Sequence, residues 1–139
     1  DTALDPSDPD LTRSLRTWSD TGFDVIADGV GGALFGAILP ALGRGGRFIV
    51  TGSASQQPAL IDVRRLLPRG QSISGFVVRN VMDEDPNEPA AALHEVLSRV
   101  ADGRVRVNCD VMPMSRAQDA HIRSEARDVI GKIVLDPSR

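Results

Sequence analysis

Residues 22–55 read GFDVIADGVGGALFGAILPALGRGGRFIVTGSAS, and their punctuation decides the fold class. Residues 23–27 form a nearly continuous run of apolar or small residues with β-branched Val25 and Ile26. Such a run predicts a strand buried on both faces, as in parallel sheets. Gly29, Gly31 and Gly32 then permit a sharp exit. Residues 33–42 predict a helix, broken by Pro40 or ended by Gly43. Gly45-Gly46 turns the chain, residues 47–51 give a second strand, and Gly52-Ser53-Ala54-Ser55 follows as an open loop.

Working outward, residues 2–4 suit a short strand ended by Asp5-Pro6. Ser7 or Asp8 can cap a helix over residues 9–18, whose Leu11, Leu15 and Trp18 recur at helical spacing. Beyond the central stretch, residues 61–67 read as a short helix or irregular segment, and residues 72–78 as a third strand. Residues 79–86 read as a polar loop with Asp83, Glu84 and Asp85 in a solvated charge run. A helix starts at Asn87 or Glu88 and runs to Ala101, with Leu93, Val96, Leu97 and Val100 on one face and Asp102-Gly103 as its stop. Residues 105–112 alternate like a half-exposed strand, Ser115 can cap a helix to Ala126, and residues 133–135 make a last strand. Strands alternating with helices predict a mostly parallel sheet, with right-handed crossovers placing helices on both faces.

Composition narrows the function classes. A chain of 139 residues is one domain, or one with an appendage, and 41% hydrophobic content supports a core. A net charge of −3 with scattered arginines argues against a nucleic-acid partner. No apolar run is long enough for a membrane span, and no basic-then-apolar leader is present. The single Cys109 excludes an internal disulfide and a cysteine-rich zinc site. These features suit a cytoplasmic protein. The chain opens on Asp1 rather than methionine, which suits an excised piece or simple methionine removal.

In open α/β sheets, ligands sit beyond the carboxyl ends of the strands. Three such ends are candidates. Gly29, Val30 and Gly31 would let a ring or ribose approach the backbone. Thr51, Gly52, Ser53 and Ser55 offer hydroxyls and amides, and Phe76, Val77 and Val78 offer backbone amides to a carboxamide. Catalytic groups are scarce. His94 and His121 sit in helical segments with no nucleophile motif, Ser53 and Ser55 have no evident base, and there is no tyrosine. Cys109 on an alternating strand reads as a small buried filler. No catalytic residue and no metal ligand set is assigned.

The order FDVIADGVGG, LPALGRGGRFIVTGSAS and SISGFVV, with the tail from Val96 to Leu135, resembles the medium-chain dehydrogenase/reductases. The likeness is to their quinone oxidoreductase and enoyl reductase branch, which lacks catalytic zinc. It implies hydride transfer from NADPH (or NADH) to a quinone or enone/enoyl acceptor, with the nicotinamide against the three candidate strand ends. It also implies a sheet of order 3-2-1-4-5-6, in which residues 2–4, 23–27, 48–51 and 73–78 are strands 3 to 6. The expected fold is then α/β, a partial Rossmann-type parallel sheet lacking its first two strands, with a C-terminal tail from the catalytic lobe. Residues 1–80 would be the partial nucleotide-binding domain, and residues 81–139 would belong to the substrate lobe.

The family's pyrophosphate loop would precede Asp1, so this stretch alone is expected to be inactive and to bind NADPH poorly. Residues 23–27 would become a sheet edge, which predicts a homo-oligomer. Two alternatives stand beside this reading. One is a methyltransferase-like domain using S-adenosylmethionine; the other is a non-enzymatic assembly module.

Overall fold

The computed structural model describes residues 3–85 and 87–138. The chain divides into two compact units, residues 1–84 and 85–139.

The first unit contains α1 (Leu11–Trp18), β1 (Phe23–Asp28), α2 (Gly32–Ile38) with a 3-10 extension (Leu39–Ala41), and β2 (Leu42–Val50). Two further 3-10 turns (Val63–Arg65 and Leu67–Arg69), β3 (Ser72–Gly75) and α3 (Val78–Glu84) complete it. The sheet order is β1-β2-β3 and both pairings are parallel. Ile26 pairs with Phe48, and Phe48 with Ile73, so these three share one face. α2 covers that face. Phe35, Leu39, Leu42 and Phe48 are buried together, with Ile26, Ile38, Val50, Ile61 and Ile73 packed around them. The Phe35 and Phe48 rings meet at 4.7 Å between centroids, tilted by 59°. Each such side chain contributes about 1.5–3 kcal/mol on leaving water.

The second face departs from expectation. Val25 on β1 is 49% exposed and Ala27 is exposed, although the run 23–27 reads as buried on both sides. The reason is where the helices go. α1 lies on α2 and its extension, with Thr12 Oγ1 donating to the Ala37 carbonyl at 2.6 Å. β1 is the sheet edge: among the described residues it pairs only with β2. Of the strand expected at residues 2–4, Thr2 lies outside the described residues, while Ala3 and Leu4 carry no strand.

Other boundaries also differ: α1 begins at Leu11 rather than at 9, and α2 ends at Ile38 with its extension stopping at Ala41. β2 begins at Leu42, five residues before Arg47. Phe23 pairs with Leu42 and Val25 with Arg47, so residues 43–46 bulge opposite Asp24, and the expected Gly45-Gly46 turn lies inside the strand. Glycine is needed at Gly45, whose φ is +69°. β3 stops at Gly75 instead of continuing to Val78. β2 ends at Val50, whose carbonyl takes its last bond from the Phe76 amide at 2.8 Å, and no partner strand remains beyond it. The segment expected to be a polar loop is instead α3, whose Val78, Val81 and Met82 recur at helical spacing.

The second unit contains α4 (Asn87–Ala101), β4 (Cys109–Pro113), a 3-10 turn (Met114–Arg116), α5 (Ala117–Glu125) and β5 (Lys132–Asp136). α4 has the expected bounds. β4 starts at Cys109 rather than at 105, because pairing begins only opposite Lys132. Cys109 is exposed and fills no core. Ser115 falls in the 3-10 turn and does not cap α5, which begins at Ala117. β4 and β5 are parallel, and Arg123 on α5 bonds Asp110 on β4 at 2.6 Å.

Candidate functional site

Register brings the three predicted strand ends together. Asp28 pairs with Val50, and Val50 with Gly75, so β1, β2 and β3 all finish on one line. The segments Gly29–Val30–Gly31, Thr51–Gly52–Ser53–Ser55 and Phe76–Val77–Val78 leave from that line side by side.

The first two segments are tied to each other. The Thr51 amide donates to the Asp28 carbonyl at 2.7 Å, and the Thr51 hydroxyl donates to the same oxygen at 3.2 Å. The Ala54 amide donates to the Gly29 carbonyl at 3.0 Å, and the Ser55 amide to the Val30 carbonyl at 2.9 Å. The approach is close enough to require glycine. A Cβ on Gly52 would lie 3.0 Å from the Gly29 carbonyl oxygen. Gly31, at φ +71°, sets the turn into α2.

Asp28 closes the first of these loops, a role that sequence reasoning did not assign to it. It is 3% exposed. Its Oδ1 accepts from the Val30 amide at 2.8 Å and the Gly31 amide at 3.1 Å, and its Oδ2 accepts from Gly31 at 3.2 Å. A buried carboxylate that accepts from two backbone amides fixes the loop that leaves β1. The available signal was an aspartate directly before Gly-x-Gly, the composition of a side-chain-closed turn.

Around this polar seam lies an apolar rim. Val30 is 37% exposed, Phe76 48%, Val77 56% and Val78 54%. Among the described residues the Val77 amide has no hydrogen-bond acceptor, although the Val77 carbonyl accepts from Asn80. The strand ends thus offer a glycine cradle, the Thr51 and Ser53 hydroxyls, a free amide and apolar side chains. A few placed polar groups among apolar side chains is the general composition of small-molecule sites.

The other candidates lie elsewhere. His94 on α4, His121 on α5 and Cys109 on β4 all belong to the second unit and are exposed. A cavity of about 460 Å3 also lies there, lined by His121, Ser124, Arg127 and Lys132 among others. Among the described residues no helix is long and apolar enough to cross a membrane.

The sequence matches the zinc-binding dehydrogenase family over residues 1–135. The chain belongs to that family. This places it in the medium-chain dehydrogenase/reductase superfamily, as the resemblance implied, and removes the basis for a methyltransferase. A zinc-type alcohol dehydrogenase-like protein of Schizosaccharomyces pombe is 30% identical over 104 residues, 71% of this chain and 29% of that protein. A mycobacterial protein solved with NADPH superposes with a TM-score of 0.80 at 25% identity, over 96% of this chain and 42% of that one. A candidate NADPH:quinone reductase of Mesorhizobium loti gives a TM-score of 0.76 at 26% identity, over 96% and 39%.

The chain therefore spans between 29% and 42% of the length of these relatives. Its α/β fold with parallel strands is the expected one, matching the C-terminal, Rossmann-like part of such structures. The zinc of the family's description finds no fit in the described residues, which contain no group of three or more His, Cys, Asp or Glu side chains placed to hold a metal ion.

Proposed function

We propose that this chain supplies the nicotinamide side of the cofactor domain in a zinc-independent, NAD(P)H-dependent oxidoreductase that reduces a quinone or enone. The observation that carries the reading is the alignment of Asp28, Val50 and Gly75, which gathers three ligand-ready loops at one sheet end. The NADPH complex of the mycobacterial relative and the quinone reductase likeness of the Mesorhizobium relative support it.

The bound nicotinamide supplies the hydride. Gly29 and Gly31 leave room for the ribose and ring, and Asp28 holds their loop rigid by accepting from Val30 and Gly31. Thr51, Ser53 and the Val77 amide are the polar partners for the ribose and carboxamide. Val30 and Phe76 cover apolar ring surface. Reducing a quinone or enone consumes one hydride and one proton. Asp28 is 3% exposed and faces the Val30 and Gly31 amides of its own loop, so the proton comes from solvent or from residues outside these loops. The second unit belongs, in this reading, to the substrate lobe.

Absorbance of the reduced nicotinamide tests this on the intact protein, with a soluble quinone and an enone as acceptors. Gly29→Val places a branched side chain against Thr51, whose hydroxyl lies 3.4 Å from the position of a Cβ. It should weaken NADPH binding at least about tenfold, equivalent to about 1.4 kcal/mol. An intact protein that binds neither NADPH nor NADH would overturn the proposal.

The expected cytoplasmic homo-oligomer belongs to the same proposal. Residues 23–27 form an edge strand on which Val25 is 49% exposed, the kind of surface that a second copy would cover. Sedimentation velocity showing only monomer at micromolar concentration would remove this part.

A further inference from the structure

The opposite end of the same sheet, at the amino ends of the strands, gathers arginines. Two adjacent hollows lie there, of about 170 Å3 and about 200 Å3. They share Arg16, Pro40 and Arg69; the first adds Arg44 and Asp20, and the second adds Arg65 and Gln71. The four arginines come from separate places in the chain: α1, the bulge of β2, and the two 3-10 turns before β3. Folding alone makes them neighbours.

Their charge is largely uncompensated. Arg64, Arg99, Arg104, Arg116 and Arg123 sit in ion pairs, but none of these four does. Arg16 gives one bond to the Pro40 carbonyl at 3.3 Å, and Arg69 gives one to the Leu42 carbonyl at 3.4 Å. A guanidinium carries five N–H donors, so most of theirs stay available. Asp20 is the single acid lining either hollow among the described residues. Asp62, which feels Arg65, is already held by the Arg64 side chain, which keeps its carboxyl below the ordinary range. In a chain of net charge −3, this is a local cationic patch.

We propose that this arginine cluster binds a phosphoryl group of a small-molecule ligand, at a site separate from the strand-end loops. Planar guanidinium forks match phosphate oxygens two at a time, and convergence of several forks favours a multiply charged oxyanion over a single carboxylate. The hollows suit a phosphate or pyrophosphate in size, not a whole nucleotide. Gln71 takes no part, because its amide is committed to the Leu42 and Gly43 carbonyls.

Isothermal titration of the intact protein with sub-millimolar pyrophosphate, at ionic strength fixed with chloride, tests the proposal. Arg44 and Arg65 are exposed, and among the described residues their side chains make no hydrogen bond, so Arg44→Ala/Arg65→Ala should leave the fold intact. The expected result is saturable binding in the parent and at least about tenfold weaker binding in the double variant, at unchanged melting temperature. Arg44→Lys/Arg65→Lys, keeping charge but losing the fork, should fall between the two. The double variant leaves residues 29–31, 51–55 and 76–78 untouched, so its loss reports on this sheet end alone. Equal affinity in parent and double variant, or no saturable heat in the parent, overturns the site. An acidic peptide that binds more tightly than pyrophosphate overturns the small-ligand assignment.

Discussion

The two units differ in what their apolar residues have to pack against. In the first, Phe48 and Leu42 are 0% exposed, enclosed by Phe35, Leu39 and the rest of the α2-facing layer. In the second, among the described residues, only Met112 and Ala120 are buried. α4 carries a regular apolar stripe, yet Leu93 is 59% exposed, Val96 51%, Leu97 57% and Val100 38%. A helix needs only local periodicity to form its stripe, whereas a core needs a second element opposite it. Two parallel strands, β4 and β5, do not make a sheet that stands by itself.

The largest expected effect follows from that contrast. Phe48→Ala should cost about 3–5 kcal/mol, from lost burial and the cavity left behind. Leu97→Ala, on the exposed stripe, should stay within about 0.5 kcal/mol. Urea unfolding of the intact protein followed by circular dichroism measures both. A Leu97→Ala cost above about 2 kcal/mol would break the comparison, since it would mean that α4 is covered in the working protein.

Legibility in the sequence follows the same division between local and tertiary causes. α4 was readable to its ends because its stripe, Asn87 start and Asp102-Gly103 stop are all local signals. β1 and β5 were readable within one residue at each end, because short β-branched runs bounded by glycine or polar turns leave few alternatives. β3 was read too long. Ile73 to Val78 has strand composition throughout, but pairing lasts only while β2 supplies a partner, and the sequence does not show where that partner ends. The bulge at residues 43–46 was invisible for the same reason: glycines that permit a turn equally permit a bulge. The exposed face of β1 was misread because composition marks a strand's suitability for burial, not the presence of a helix above it.

At the candidate site the first two loops were readable from their small and hydroxyl residues at strand ends; the third, Phe76-Val77-Val78, has strand composition and carried no such signal. The clamp that holds the first of them was not readable either, because Asp28 looks like an ordinary turn acid until its burial is known.

The smaller effect belongs to that clamp, and it sharpens the comparison by acting inside the well-packed unit without touching its core. Asp28→Ala removes the acceptor of the Val30 and Gly31 amides and leaves the buried Gly31 donor without a partner. The expected cost is about 1–3 kcal/mol, the penalty of buried polar groups without partners, below that of Phe48→Ala. Asp28→Asn keeps one carbonyl oxygen but turns its NH2 toward an amide donor, so it should fall between Ala and the parent. Hydrogen exchange distinguishes a loop effect from a global one. In the alanine variant, amides of residues 29–31 and 51–55 should exchange faster under conditions where those of Phe48 and Ile49 do not change. If the β2 amides speed up equally, Asp28 supports the sheet as a whole, and the strand-end loops have no separate rigidity to lend a cofactor.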